Sequence, residues 1–147
     1  MILVNFSKTF VMNDRSDDLL RFRPEIPTAT ISPNMSEDER FQNQTLRPII
    51  KFQNPLLTAA FCNYVCKHKN TFYELKAEKR LEYIENAIQR DIKFRNALKG
   101  MIIGQFTIEE YQHYITNSSA LNKRMMNMVI HRLKDQVQIL EPLMLVQ

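Results

Sequence analysis

The sequence predicts an all-α protein, an irregular bundle of about five helices with an extended N-terminal arm. Only two of its 147 residues are glycine, which leaves little material for tight β-hairpins, because their favoured turns need positive φ. Apolar residues also recur at steps of three and four along most of the chain, as one buried helix face requires. A hydrophobic fraction of 44% with 24% charged residues is typical of a globular chain and not of a disordered one.

The predicted arm covers residues 1–34 and the single helical domain residues 35–147. Three prolines fall between positions 23 and 33, and proline both removes a backbone donor and favours extended geometry in the residue before it. We therefore predict an extended segment that lies on the body or on a partner. Residues 1–13 fit either a short strand or disorder. Met12 and Met35 are alternative start positions, so the arm is either native or an extension of the gene model.

Helix boundaries follow from capping signals. Three capping boxes, each a serine or threonine followed three residues later by glutamate, predict helix starts. They are Ser36 with Glu39, Thr71 with Glu74, and Thr107 with Glu110.

Further boundaries come from single residues. Asn54 followed by Pro55 predicts a helix that runs to about residue 69, and Ser119 predicts the last helix, from about 120 to 141. A shift of the apolar face near Asp91 predicts either a kink or two helices. Gly104 predicts a helix end in left-handed geometry.

Two apolar stripes predict buried faces. The stripe of the second predicted helix is Ile49, Phe52, Leu56, Ala60 and Tyr64, and that of the last helix is Met126, Val129, Leu133, Val137 and Leu140. Met125, Met126 and Met128 fit either core filling or an adaptable partner surface.

Several protein classes are disfavoured. Gly100 and Gly104 are too few for a glycine-rich phosphate loop, and no nucleophile elbow, kinase motif or zinc-protease motif occurs. No run of about 18 apolar residues is present. Cys62 and Cys66 cannot form a disulfide framework, so we predict a reduced, cytoplasmic setting.

Metal-binding patterns are incomplete. Glu110 and His113 form one Glu-x-x-His step, whereas carboxylate-bridged bundles use two such pairs and two further glutamates. Cys62, Cys66 and His68 lack a fourth zinc ligand. We predict no cofactor and interpret these residues as a solvated helix face and as two small thiols on an apolar face.

Positive charge is the main functional signal. The net charge of +4 is concentrated in segments where arginine and lysine alternate with amide or aromatic residues, a pattern that suits phosphate and base contacts. A solvated helix face is the alternative interpretation. The candidate contact residues are Arg21, Phe22, Arg23, Arg90, Lys93, Arg95, Lys99, Lys123, Arg124, Asn127, His131 and Lys134.

Two stretches resemble a group of small all-helical bacterial proteins over about residues 36–135. They are YIENAIQRDIKFRNALKGM at 83–101 and NSSALNKRMM at 117–126. Some members carry the label glyoxalase, which implies a metal-dependent activity but transfers no site residue. Glyoxalases of the vicinal-oxygen-chelate kind place His and Glu ligands on the strands of paired βαβββ units, whereas the candidates here lie on predicted helices.

Three functional hypotheses follow. In the first, the protein is a non-enzymatic interaction module that presents its last helix and arm to a protein partner or to a second copy. In the second, it is a basic RNA- or ribosome-associated accessory protein. In the third, it is a metal-dependent, glyoxalase-like enzyme that uses Glu110 and His113.

Overall fold

The computed structural model describes residues 14–140, and these are helical over most of their length. The predicted all-α class is confirmed, since no strand occurs within this range. None of the helices there is both long and apolar enough to cross a membrane.

Seven α-helices follow one another in the described range. They are α1 (14–22), α2 (Glu37–Phe41), α3 (Arg47–Lys67), α4 (Ala77–Arg90), α5 (Ile92–Ile103), α6 (Ile108–Tyr114) and α7 (Ser118–Asp135). A π-turn, Gln42–Leu46, joins α2 to α3, and 3-10 turns at Thr71–Glu74 and Val137–Ile139 precede α4 and follow α7.

The N-terminal arm differs from the predicted extended segment. Residues 14–22 form α1, where we predicted extended chain, whereas residues 23–36 contain turns and irregular backbone. The helix is possible because no proline or glycine precedes Pro24. The strand or disorder predicted for residues 1–13 lies outside the described residues.

The arm packs back on the helical body. The Arg15 guanidinium donates hydrogen bonds to the Phe106 and Gly104 carbonyls, at 2.7 and 3.0 Å. Farther along, the Asn43 side chain donates to the Thr30 carbonyl at 3.2 Å. These contacts tie both α1 and the proline-containing segment to other elements, which the arm's own sequence could not reveal.

Helix α3 continues through the position at which we predicted a new helix. Pro55 lies inside α3, and Asn54 does not cap it. Pro48 lies within the first turn, where a missing donor costs little. Ile50 and Leu57 are both buried, so packing on each side of Pro55 stabilises one continuous helix despite the lost hydrogen bond.

The capping box predicted at Thr71 forms a 3-10 turn instead, and α4 begins only at Ala77. The Thr71 hydroxyl donates to the His68 carbonyl at 3.4 Å. Phe72 is fully buried, so burial of this ring sets the local backbone and overrides the capping signal.

Two other capping predictions are confirmed. At Thr107 both bonds of the box form: the Glu110 amide donates to Thr107 Oγ1 at 3.1 Å, and the Thr107 amide donates to Glu110 Oε1 at 2.8 Å. Ser36 Oγ accepts from the Glu39 amide at 3.2 Å and caps α2.

The boundary predicted near Asp91 separates two helices. Asp91 ends α4 and also caps α5, because its Oδ1 accepts from the Phe94 amide at 3.1 Å. Gly104 follows α5 as predicted, but with φ of −59° its backbone is right-handed. A Cβ at Gly104 would lie 3.1 Å from the Gly100 carbonyl oxygen, so glycine allows close approach there.

The last helix, α7, starts after Asn117 and is shorter than predicted. Its apolar stripe is nevertheless the expected one. Met126, Val129, Leu133 and Leu140 are buried, and Val137 packs partly buried against them.

The buried face of α3 differs from the prediction. Phe52 and Leu56 are each 47% exposed, although Ile49 is buried as expected. The residues that α3 buries instead are Ile50, Leu57, Phe61, Cys62 and Val65. Apolar side chains occupy most of the circumference of α3, so spacing alone could not select one face.

Candidate functional site

A basic groove lies between α3 and α7, and we call it the α3–α7 groove. Its cavity measures about 580 Å³. Its polar lining comes from the π-turn, the first turns of α3 and the middle of α7. These residues are Gln42, Arg47, Lys51, Arg124, Asn127, His131, Arg132 and Asp135.

Neutral oxygens hold the cations of this groove. Arg124 donates to Gln42 Oε1 at 2.8 Å, and Arg47 donates to Asn43 Oδ1 at 2.8 Å. Lys51 donates more weakly to a backbone carbonyl of the arm, at 3.4 Å. The hydrogen bonds orient these side chains but leave their charge uncompensated.

No described carboxylate pairs with the four cations of the α3–α7 groove, which are Arg47, Lys51, Arg124 and Arg132. The ion pairs within residues 14–140, in which nitrogen and oxygen lie no more than 4.0 Å apart, all involve other residues. Among the described residues, Asp135 is the one acid that lines the groove. The groove therefore carries a positive field that attracts anions.

The groove combines two kinds of polar group. Arginine and lysine bind phosphate oxygens, whereas amides such as those of Gln42 and Asn127 can read base edges. Asn127 and His131 are exposed, one turn apart on α7. The arrangement suits a flexible anionic chain with hydrogen-bonding groups between its charges.

The contact residues predicted on α7 do not all lie on the same surface. Arg124, Asn127 and His131 line the α3–α7 groove, as their shared helix face predicts. Lys123 is exposed elsewhere. Lys134 points to α4 and pairs with Glu85 at 2.9 Å.

The residues predicted around α5 are also divided. Arg90 and Lys93 line a second cavity near the boundary between α4 and α5. Arg95 and Lys99 are partly buried on α5 and line neither cavity.

The predicted aromatic and basic cluster of the arm is split as well. Phe22 is 68% exposed, and the neighbouring Arg21 pairs with Asp18. Arg23 is not exposed: its side chain is only 8% accessible and pairs with Glu110. A contact of Arg23 with nucleic acid would therefore require breaking this pair, which spans 87 residues of sequence.

Glu110 belongs to a buried network with both of its oxygens occupied. Oε2 accepts from Arg23 at 2.6 Å and from the Thr45 hydroxyl at 2.9 Å. Oε1 accepts from Arg23 at 2.9 Å and from the Thr107 amide at 2.8 Å. Burial alone would raise the pKa of Glu110, but the hydrogen bonds and charge of Arg23, with the bonds from Thr107 and Thr45, lower it below its ordinary value.

The metal-like patterns do not converge in space. His113 stacks on Phe41, with ring centroids 5.1 Å apart. Cys62 is buried whereas Cys66 is exposed. Across residues 14–140, no three His, Cys, Asp or Glu side chains gather as a metal site would require.

Sequence reasoning missed Arg47, Lys51 and Arg132 as groove residues. The spacing of four between Arg47 and Lys51 is a usable signal, because it places both on one helix face. Pro48 between them instead suggests a kink or a helix end, which hides this shared face. That the stretch faces α7 depends on packing between distant segments.

No protein-family model, curated protein or solved structure shows significant similarity to this chain. The site must therefore be interpreted from its own geometry.

Proposed function

We propose that this protein binds RNA through the α3–α7 groove. The main supporting observation is that four cations, none of which pairs with a carboxylate within residues 14–140, converge beside amide side chains in one groove. Unpaired cations of this kind contact phosphates and release counterions when they do so. A ribosome-associated role is one form of this proposal.

Two further observations favour RNA over a protein partner. Met125 and Met126 are buried in the core, so they do not offer an adaptable surface on the last helix. The arm, through Arg23, is bonded to the body. Two of the three clustered methionines and Arg23 of the arm thus have internal roles.

The test is RNA binding by the full chain, measured by fluorescence anisotropy with bulk cellular RNA across a salt series. The informative variant combines Lys51→Gln with Arg132→Gln, because neither side chain pairs with a carboxylate in the described part of the chain. Each lost phosphate contact should lower the slope of log affinity against log salt by about 0.7 on single strands. The double variant should then bind roughly 25-fold more weakly at about 0.1 M salt.

A charge-matched control combines Lys76→Gln with Lys79→Gln. Both lysines are exposed near the start of α4 and line neither cavity. The proposal predicts nearly parental binding for this control. Equal weakening of both double variants would indicate a general charge effect, and unchanged binding by the groove variant would exclude this groove.

Association with a protein partner or a second copy is the second candidate. It rests on Phe52 and Leu56, one turn apart on α3 and each 47% exposed. Phe22 lies beside Phe52 in a small recess. Sedimentation velocity of the parent and of Phe52→Ser tests it: a dimer that the substitution dissociates supports the candidate, and a monomeric parent without a partner in crosslinking opposes it.

A further inference from the structure

A larger cavity lies near the other end of α3, where α4 ends and α5 begins, and we call it the junction pocket. It is a shallow depression, open to solvent, with a volume of about 910 Å³. Four cations line it: Lys67, Lys69, Arg90 and Lys93. They come from two stretches of the chain, the end of α3 with the residues after it and the boundary between α4 and α5.

The charges of the junction pocket are unsatisfied inside the described protein. None of the four cationic side chains makes a hydrogen bond or ion pair within residues 14–140. Asp91 is the acid in the lining, and its Oδ1 already caps α5 through the Phe94 amide. The pocket therefore concentrates more positive charge than its own residues neutralise.

An aromatic stack borders the junction pocket, and two of its rings, Tyr64 and His68, line the pocket. The ring of Phe94 stacks on Tyr64 at 4.3 Å, and Tyr64 stacks on His68 at 4.0 Å between centroids. His68 Nδ1 lies 2.7 Å from the Tyr64 carbonyl oxygen, which orients the imidazole. His68 is the exposed end of the stack, so its ring is placed to stack on a further planar group.

The tyrosines that line the junction pocket add no negative charge. Burial raises the pKa of Tyr64 and of Tyr83 above the ordinary value of 10.0, and the nearby negative charge of Asp91 raises that of Tyr64 further. Both phenols stay protonated near neutral pH and can donate hydrogen bonds to an anion.

The rim of the junction pocket is conformationally strained. Lys69 and Asn70 have φ of 66° and 58°, in the left-handed region that glycine tolerates best. Asparagine is tolerated there, but lysine is not a preferred residue at a helix end of this kind. The chain thus keeps a lysine where glycine would be more stable, and that lysine faces a cavity lined by three other cations.

We propose that the junction pocket binds a small nucleoside oligophosphate, a di- or triphosphate bearing a planar base. The four cations would contact the phosphates, and His68 would stack on the base. The cations would replace the glycine-rich loop that this chain lacks. This site is separate from the α3–α7 groove and does not depend on RNA binding there.

The test is calorimetric titration of the full chain with ATP, AMP and inorganic tripolyphosphate in magnesium-free buffer. ATP should bind at least about tenfold more tightly than AMP, because charge-assisted contacts to the added phosphates are strong. It should also bind more tightly than tripolyphosphate. Absence of ATP binding, or equal affinity for ATP and AMP, would overturn the phosphate assignment, and equal affinity for ATP and tripolyphosphate would overturn the base assignment.

Two variants separate the roles. Lys69→Gly with Lys93→Gln should weaken ATP binding about tenfold or more, and the glycine relieves strain, so the protein should still fold. His68→Ala should weaken binding of ATP but leave that of tripolyphosphate unchanged. Lys76→Gln with Lys79→Gln is the charge-matched control and should bind ATP like the parent.

The two proposals fail in different ways. The Lys69→Gly with Lys93→Gln variant should bind RNA with the affinity of the parent. The Lys51→Gln with Arg132→Gln variant should bind ATP with the affinity of the parent. The opposite result is that the parent protein binds no ATP and that the Lys69→Gly with Lys93→Gln variant loses RNA binding. The pocket would then be part of the RNA-binding surface, and the nucleotide proposal would be overturned. Loss of RNA binding by the groove variant alone leaves the pocket proposal standing.

Discussion

The π-turn contributes to two regions in which charge is arranged in opposite ways. One is the arm–body junction, where Arg23 of the arm pairs with Glu110 of α6, and the other is the α3–α7 groove. In the arm–body junction, Thr45 of the π-turn donates a hydrogen bond to the Glu110 carboxylate, which pairs with the buried Arg23. In the groove, Gln42 of the same turn accepts a hydrogen bond from Arg124, which has no carboxylate partner among the described residues. Charges that neutralise each other stabilise the fold, whereas charges held only by neutral oxygens remain available to a ligand.

The π-turn makes both arrangements possible. Such turns add one residue to a helix and occur often at functional sites. Here Gln42 and Thr45 are three residues apart. Gln42 accepts a hydrogen bond from Arg124 in the groove, and Thr45 donates one to Glu110 in the arm–body junction. One local irregularity thus serves a contact that stabilises the fold and one that orients a candidate binding residue.

Glu110→Ala tests the arm–body junction most severely. The substitution leaves the Arg23 guanidinium buried without its partner and removes half of the capping box at Thr107. Loss of one partner from a buried pair costs about 3 kcal/mol, and we expect the free energy of unfolding in urea to fall by that amount. The double variant Arg23→Met with Glu110→Met should recover part of the loss, because no charge is then left buried.

A fall of less than about 1 kcal/mol for Glu110→Ala would show that the pair contributes no more than an exposed ion pair. The contrast between the arm–body junction and the groove would then disappear. The arm would have to be held by its other contacts, such as those of Arg15.

The pH dependence of stability tests the same network. Because the pKa of Glu110 is lower in the folded protein, ionised Glu110 stabilises the fold above its unfolded pKa of 4.5. This contribution should be lost as the pH falls through 4.5 towards the lower folded value. Urea unfolding at pH 7, 5, 4 and 3 should show a smaller decline for Glu110→Gln than for the parent, and identical declines would contradict the assignment.

Lys69→Gly extends the comparison to the junction pocket. Glycine removes the penalty of a left-handed lysine at the end of α3, so the free energy of unfolding should rise by about 1 kcal/mol. Lys67→Gly, inside the last turn of α3, is the matched control and should lower it by a similar amount. If Lys69→Gly also destabilises the protein, the left-handed backbone at Lys69 is not a source of strain.

Neutralising the groove should have the smallest effect on stability. Lys51→Gln with Arg132→Gln removes two charges that pair with no carboxylate among residues 14–140, so we expect a change within about 0.5 kcal/mol. The same variant should still bind RNA much more weakly. A large loss of stability would mean that these cations stabilise the fold, as Arg23 does, and would remove the difference between the two regions.

Prediction from the sequence worked best where the controlling interaction is local. The capping box at Thr107, the boundary at Asp91 and the buried stripe of α7 all depend on residues within one or two helical turns. The same kind of signal failed at Thr71 and at Pro55. Packing of Phe72 and of the two sides of α3 outweighed the local preference there.

The candidate site was predictable in the same partial way. Arg124, Asn127 and His131 share a face of one helix, and their spacing along the chain is enough to group them. Arg47 and Lys51 join them from another helix, which no spacing within α7 can indicate. Arg23 is predicted as a contact residue but is paired with a glutamate 87 residues away.

The amino-acid pattern alone therefore predicts the helical class, the caps at Ser36 and Thr107 and the polar face of the last helix, because these depend on neighbours along the chain. Tertiary packing determines which basic residues are neutralised and which are free. Arg23 and Arg124 are both basic residues in basic stretches of the sequence, yet of the two only Arg23 meets a carboxylate within residues 14–140. The physical reason is that the energy of a charge depends on the groups that surround it in space, and those groups come from distant parts of the chain.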